Sequence, residues 1–316
     1  MFFASLSLTL LLVACNIGGT KEGKDGKILP LTGLQGESEG ENRAVAVTIS
    51  NHPSARPQSG LAEADIVYEV LMEGDITRFL AIFQSEKPQE IGPVRSARDY
   101  LIQLSQGYDS MYVAHGYSPS AKEMLDSGKI DQINGIQHDG TLFERSSDRK
   151  PPHNSYITYD NIIKGAEKND IHLTDSPVPL PFSAKDEEKN LTGIESDNIE
   201  LSYSENDTYK VKYEYDAKKG KYVRLSGEEQ MNDILIDNIF IVVMEHETID
   251  EKGRRAIDLQ SGGEALLFQK GLVQEVEWKN VDGRILPYLN GEQLAFLPGK
   301  TWINIVPDQY IIDYTS

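Results

Sequence analysis

The sequence predicts an α+β protein, with a mixed α/β N-terminal domain followed by a mainly antiparallel β C-terminal domain. Three observations lead there. Between positions 43 and 127, apolar β-branched runs alternate with segments of helical periodicity. Beyond position 199, turn residues break the apolar runs about every 8–15 positions, the rhythm of antiparallel strands. The chain has 316 residues, and at roughly 100–200 residues per domain that is enough for two cores.

Positions 1–15, MFFASLSLTLLLVAC, are apolar or small-polar and end at the single cysteine of the chain. This run is too short to span a bilayer and has the length of a secretory h-region. Leu12-Val13-Ala14-Cys15 has the form of a lipobox, where cleavage leaves Cys15 as an acylated first residue, although no Lys or Arg precedes the apolar run. The expected result is a protein held by a lipid on Cys15 at the outer face of the cytoplasmic membrane. With one cysteine, no disulfide can form within the chain, so packing alone must hold the cores. Positions 16–30 are rich in Gly and Lys and read as a flexible tether.

The first domain is expected over 31–180. Positions 43–50 form a buried strand stopped by Asn51-His52-Pro53, and 64–71 with 76–83 form a hairpin turned at Glu73-Gly74-Asp75. Gly92-Pro93 breaks the chain before a helix over 96–106, for which Ser96 is the expected cap and Asp99 its capping-box partner. A strand at 109–115 and a helix opened by Pro119 follow. Positions 181–198 are charged and poor in large apolar residues, and read as a linker. In the β-rich 199–316, strands at 239–244, 264–268, 272–278 and 301–306 are separated by Gly271, Asp282-Gly283, Asn290-Gly291 and Pro298-Gly299.

Composition restricts the function. The formal net charge is −19, and no basic run stands out, so nucleic acid is not expected as a partner. Phosphate-binding loops of the GxxxxGK[ST] or GxGxxG form and the GxSxG elbow are absent from the sequence. Neither HExxH nor HxH spacing occurs, so no metal or other cofactor is expected.

The chemistry concentrates in the first domain. Glu69 and Arg78 interrupt apolar strands, where an ion must find solvent, a partner or a cleft, and could simply pair with each other across the hairpin. Arg95 and Arg98 flank Ser96 at a helix start, where positive charge opposes the helix dipole. Guanidinium forks gathered there suit a carboxylate or phosphate. His115-Gly116 ends a strand, and His153-Asn154 lies in a Pro-Pro loop, so each imidazole is a candidate general acid or base and Asn154 an amide clamp.

ARPQSGLAEADIVYE at 55–69, ITRFLAIF at 76–83, IGPVRSARDY at 91–100, AHG at 114–116, PPHN at 151–154 and GKTWINIVP at 299–307 resemble the YerB-like lipoproteins of Gram-positive bacteria. The resemblance covers nearly the whole chain after the tether. It implies two domains, surface anchoring and a cell-envelope setting, and names no reaction. Asp75 departs from the pattern, standing where the family's turn usually has a second glycine. Two functions follow as expectations. In the first, Arg78, Arg95, Ser96, Arg98 and Asn154 bind an anionic wall glycan, peptide or protein. In the alternative, a hydrolase or lyase of wall polymer uses Glu69 with His115 or His153 as its acid–base pair.

Overall fold

The computed structural model describes residues 26–36, 43–204, 209–226 and 229–315. Cys15, the lipobox and most of the 16–30 tether lie outside the described residues. Among the described residues strands far outnumber helices, and they assemble into a twelve-stranded sheet, a five-stranded sheet and three small two-stranded ribbons.

The large sheet runs, from edge to edge, through Glu292–Gln293, Arg284–Leu289, Leu272–Val281, Gly263–Gln269, Asn238–Val243, Thr301–Val306, Ile66–Leu71, Thr77–Phe83, Val45–Ser50, Met111–Ala114 and Gln132–Asn134. Ile194–Glu195, from the expected linker, adds a short antiparallel pair on Leu272–Val281. The sheet is continuous across the chain: Thr301–Val306 lies parallel to Ile66–Leu71 on one side and to Asn238–Val243 on the other. Val45–Ser50, Met111–Ala114 and Gln132–Asn134 are also mutually parallel, so their carboxyl ends open on one side of the sheet.

Both faces of the sheet are buried, which explains why its central strands read as largely apolar runs, interrupted by Glu69, Arg78 and Asn304, rather than alternating ones. One face, with Val67, Phe79 and Trp302, packs on the five-stranded sheet and on the helix Tyr159–Lys168. The other, with Tyr68, Val70, Leu80 and Ile303, is covered by the helices Asp99–Gln106 and Pro119–Asp126. Each Phe, Leu or Ile sealed there contributes about 1.5–3 kcal/mol.

The turn chemistry acts as expected: Asp282 and Asn290 adopt left-handed backbone with φ of 53°, each followed by a glycine at 85°. The capping expectation at Ser96 requires correction. Arg98 occupies the N-cap of Asp99–Gln106 without a side-chain cap bond, and the Ser96 hydroxyl donates instead to the His115 carbonyl at 3.2 Å. Ser118 does cap the next helix, accepting from the Ala121 amide at 3.2 Å.

Candidate functional site

The antiparallel register of Ile66–Leu71 and Thr77–Phe83 places Glu69 opposite Phe79 and Val70 opposite Arg78. Cross-strand partners share a face, so Glu69 and Arg78 project from opposite sides of the sheet and do not pair with each other. Arg78 emerges on the helix-covered face. There it meets the segment that leads into Asp99–Gln106, donating to the Ser96 carbonyl at 2.9 Å. Arg98 donates to the Ala97 carbonyl at 2.8 Å and through Nε to Glu73 at 2.9 Å. Glu73, at the turn of the hairpin, also forms ion pairs with Nη2 of Arg98 and, at 3.3 Å, with Arg78. One carboxylate thus serves two guanidinium groups.

These groups line a cavity of about 450 Å³ together with Arg95, Ser96, Tyr117, Ser118, Pro119, Lys252 and Arg254. Arg95 forms no ion pair with a carboxylate among the described residues, and its side chain donates to the Pro152 carbonyl at 3.2 Å. Burial first, then the neighbouring Arg98 charge, draws the Arg78 pKa down to about 9. Arg95 is lowered by the same two causes. Burial alone would raise Glu73, but the cations of Arg78 and Arg98 outweigh it and hold this carboxyl below the ordinary range. Cations this crowded repel one another and are relieved by an anion.

Arg95 links this cavity to the histidines. The His153 ring stacks on His52 with centroids 4.4 Å apart and planes 18° from parallel, and its Nδ1 lies 3.4 Å from the Ser50 hydroxyl. Burial, then the positive field of Arg95, pushes His153 down to about 4, and His52 is lowered by the same causes. At neutral pH both rings are therefore uncharged. His115 is held differently: Nδ1 meets the Ser155 hydroxyl at 2.7 Å and Nε2 meets Arg145 at 2.9 Å. Since Arg145 can only donate, Nε2 accepts and Nδ1 carries the proton, which leaves neither nitrogen for a substrate. Asn154 is committed as well, its Oδ1 accepting from Arg145 at 3.1 Å.

Glu69 belongs to another environment. It is fully buried between the two sheets, 2.6 Å from the equally buried Arg224 of the five-stranded sheet. Its other oxygen accepts from Asn51 at 3.0 Å and Thr77 at 2.9 Å. Arg224 lies over the rings of Trp302, Phe79 and Tyr213, at 4.9, 5.3 and 6.0 Å. Such a carboxylate has no route to a solvent proton or a polymer chain. The structure therefore corrects the expectation of a Glu69–histidine acid–base pair: Glu69, His115 and His153 are not brought to one place. Arg78, Arg95, Ser96 and Arg98 are brought together.

Sequence reasoning passed over Glu73, which reads only as a turn residue, and Lys252 and Arg254. The latter two sit in an Asp-Glu-Lys-Gly turn whose local pattern says solvated loop, and only the tertiary fold carries them to the arginines.

No helix among the described residues is long and apolar enough to cross a membrane. Two family models match the chain. The N-terminal domain of a protein family of unknown function, DUF3048, matches residues 31–172, and the C-terminal domain of the same family matches residues 199–303. The YerB protein of Bacillus subtilis (strain 168), which its name presents as a candidate lipoprotein, is 52% identical over 287 residues, 88% of this chain and 86% of that one. The crystal structure of the YerB protein from Bacillus subtilis superposes with a TM-score of 0.84 at 50% identity, covering 90% of this chain and 98% of that one. With both domain models matched in order and a relative this similar over most of its length, the chain belongs to the DUF3048 family, as its resemblance to YerB-like lipoproteins led us to expect.

Proposed function

We propose that this protein is an extracytoplasmic lipoprotein, anchored through Cys15 at the outer face of the cytoplasmic membrane, that binds an anionic ligand of the cell envelope in the arginine-lined cavity. One observation supports the binding reading most: Arg78, Arg95, Arg98, Lys252 and Arg254 share a cavity with a single lining carboxylate, Glu73, in a protein of net charge −19. An acidic protein that concentrates cations in a hollow gains nothing in solubility from doing so, and the concentration makes chemical sense as a receptor. The lipobox form of residues 12–15 and the name of the Bacillus subtilis relative support the anchor.

Purified full-length protein should bind short anionic wall fragments in calorimetric titration. Arg95→Ala should lose that binding at least tenfold while stability stays within about 1 kcal/mol, because Arg95 has no carboxylate partner to abandon. Unchanged binding by the variant would remove Arg95 from the site. For the anchor, Cys15→Ala should move the protein from the membrane to the soluble fraction on cell fractionation, and retention in the membrane would overturn it.

A further inference from the structure

Resting on the anion-binding reading, and extending it to the class of ligand, we propose that the ligand carries two phosphate groups, one held by the Arg78–Arg98 wall and the other by a second wall at Lys252 and Arg254. The two walls come from distant parts of the chain. Lys252 and Arg254 belong to the turn of a small ribbon, His246–Thr248 with Arg255–Ile257.

That turn is built rather than loose. The Asp250 carboxylate accepts from the amides of Lys252 at 2.9 Å and Arg254 at 3.2 Å, and the Ile249 amide donates to the Arg254 carbonyl at 2.8 Å. The turn is also fastened to the opposite wall. Arg255 donates to the Met72 and Gly74 carbonyls, each at 2.9 Å, and so grips the hairpin tip that carries Glu73. The distance between the walls is therefore fixed before any ligand arrives, and preorganised spacing selects for ligands whose charges match it.

Charge balance points to more than one anionic group. Five cations line the cavity; among the described residues the carboxylates paired with them are Glu73, shared by Arg78 and Arg98, and Asp250, which pairs with Arg254 at 2.6 Å. Arg95 and Lys252 have no carboxylate partner among the described residues. A single monoanion leaves much of that surplus uncompensated. About 450 Å³ has room for a small polyanion, and phosphates supply the most charge and the most acceptor oxygens for their size, matching walls that otherwise present donors. Glu73, which bridges the two guanidinium groups, shows that this wall accommodates a negative group.

Two sources share this chemistry, a diphosphate group and a phosphodiester-linked polyol chain, and one titration separates them. Full-length protein is titrated with inorganic pyrophosphate, a glycerol-phosphate dimer, inorganic phosphate and citrate. Pyrophosphate or the dimer should bind at least tenfold more tightly than phosphate or citrate, and the tighter of the two identifies the source. Lys252→Ala, which breaks no internal ion pair, should weaken that preferred ligand about fivefold or more while changing phosphate less than twofold. Phosphate or citrate binding as well as both two-phosphate ligands would overturn the proposal, and so would a Lys252→Ala protein with unaltered affinities. If single anions bind and only Arg95→Ala abolishes them, this proposal falls and the anion site stands. If no anion binds at all, the site itself falls with it.

Discussion

The side chains that looked most reactive divide by the face of the sheet they occupy. Glu69 and Arg224 form an ion pair with no exposure, supported by Asn51, Thr77 and three aromatic rings. Removing one partner strands a charge in the core, so Arg224→Ala should cost about 3–5 kcal/mol in urea unfolding; a loss under 1 kcal/mol would show that the pair contributes little. His153 gives a different kind of test. Its folded value near 4 lies below the 6.5 of an unconstrained imidazole. Between those values the unfolded chain holds a proton that the folded chain does not, so this group makes stability rise as pH climbs from about 4 to 6.5. Asp65, raised by burial to about 6, contributes the opposite slope, but equally in wild type and variant. His153→Gln should therefore flatten the rise in melting temperature relative to wild type, and superimposable pH profiles would refute the depressed value. Of the cavity's lining, Arg95 and Arg98 stand out in the sequence because a pair of cations at a helix start conflicts with the dipole. Glu69 misled, since nothing in its strand foretold a partner 155 positions away.

Elements were legible where one physical rule decides them. The strands Val45–Ser50, Ile66–Leu71, Thr77–Phe83 and Thr301–Val306 are rich in β-branched and aromatic residues and bounded by turn residues, and their propensity agrees with their burial. The ribbon His246–Thr248 with Arg255–Ile257 was not legible, because strands of three residues are too short to carry a period. Tyr159–Lys168, by contrast, does carry helix signals in the sequence, with Thr158 capping it by accepting from the Asn161 amide and Tyr159, Ile162 and Ala166 on its buried face. Close approach between elements is invisible in sequence as well. Gly107, after the helix Asp99–Gln106, faces the backbone of Gly283 so closely that a Cβ there would overlap its carbonyl. Gly107→Ala should therefore push the helix end away from the Asp282-Gly283 turn and cost about 1–3 kcal/mol in thermal denaturation, and an unchanged melting temperature would show that the turn gives way freely.

At the scale of the molecule, two family domains share one sheet. The seam is the parallel pairing of Thr301–Val306 with Ile66–Leu71, reinforced by the Glu69–Arg224 pair and by Arg255 on the hairpin tip. Local pattern gives each strand but not this adjacency, which is why the sequence reads as two successive bodies. A fragment ending before residue 301 leaves Ile66–Leu71 hydrogen-bonded on one side only, with a long apolar edge open. Residues 26–198 expressed alone should therefore aggregate or remain partly unfolded on size-exclusion chromatography and circular dichroism. Co-expression with 199–316 should restore a soluble complex. A monomeric, cooperatively melting 26–198 fragment would contradict this.

That seam also imposes a timetable on biogenesis. A ribosome delivers Ile66–Leu71 long before it delivers the neighbour that completes it, and no earlier segment takes its place. For most of its translation the nascent polypeptide carries a sticky, half-finished ladder, so protection by escort factors, or delay of compaction until synthesis is nearly over, becomes a requirement of the topology itself.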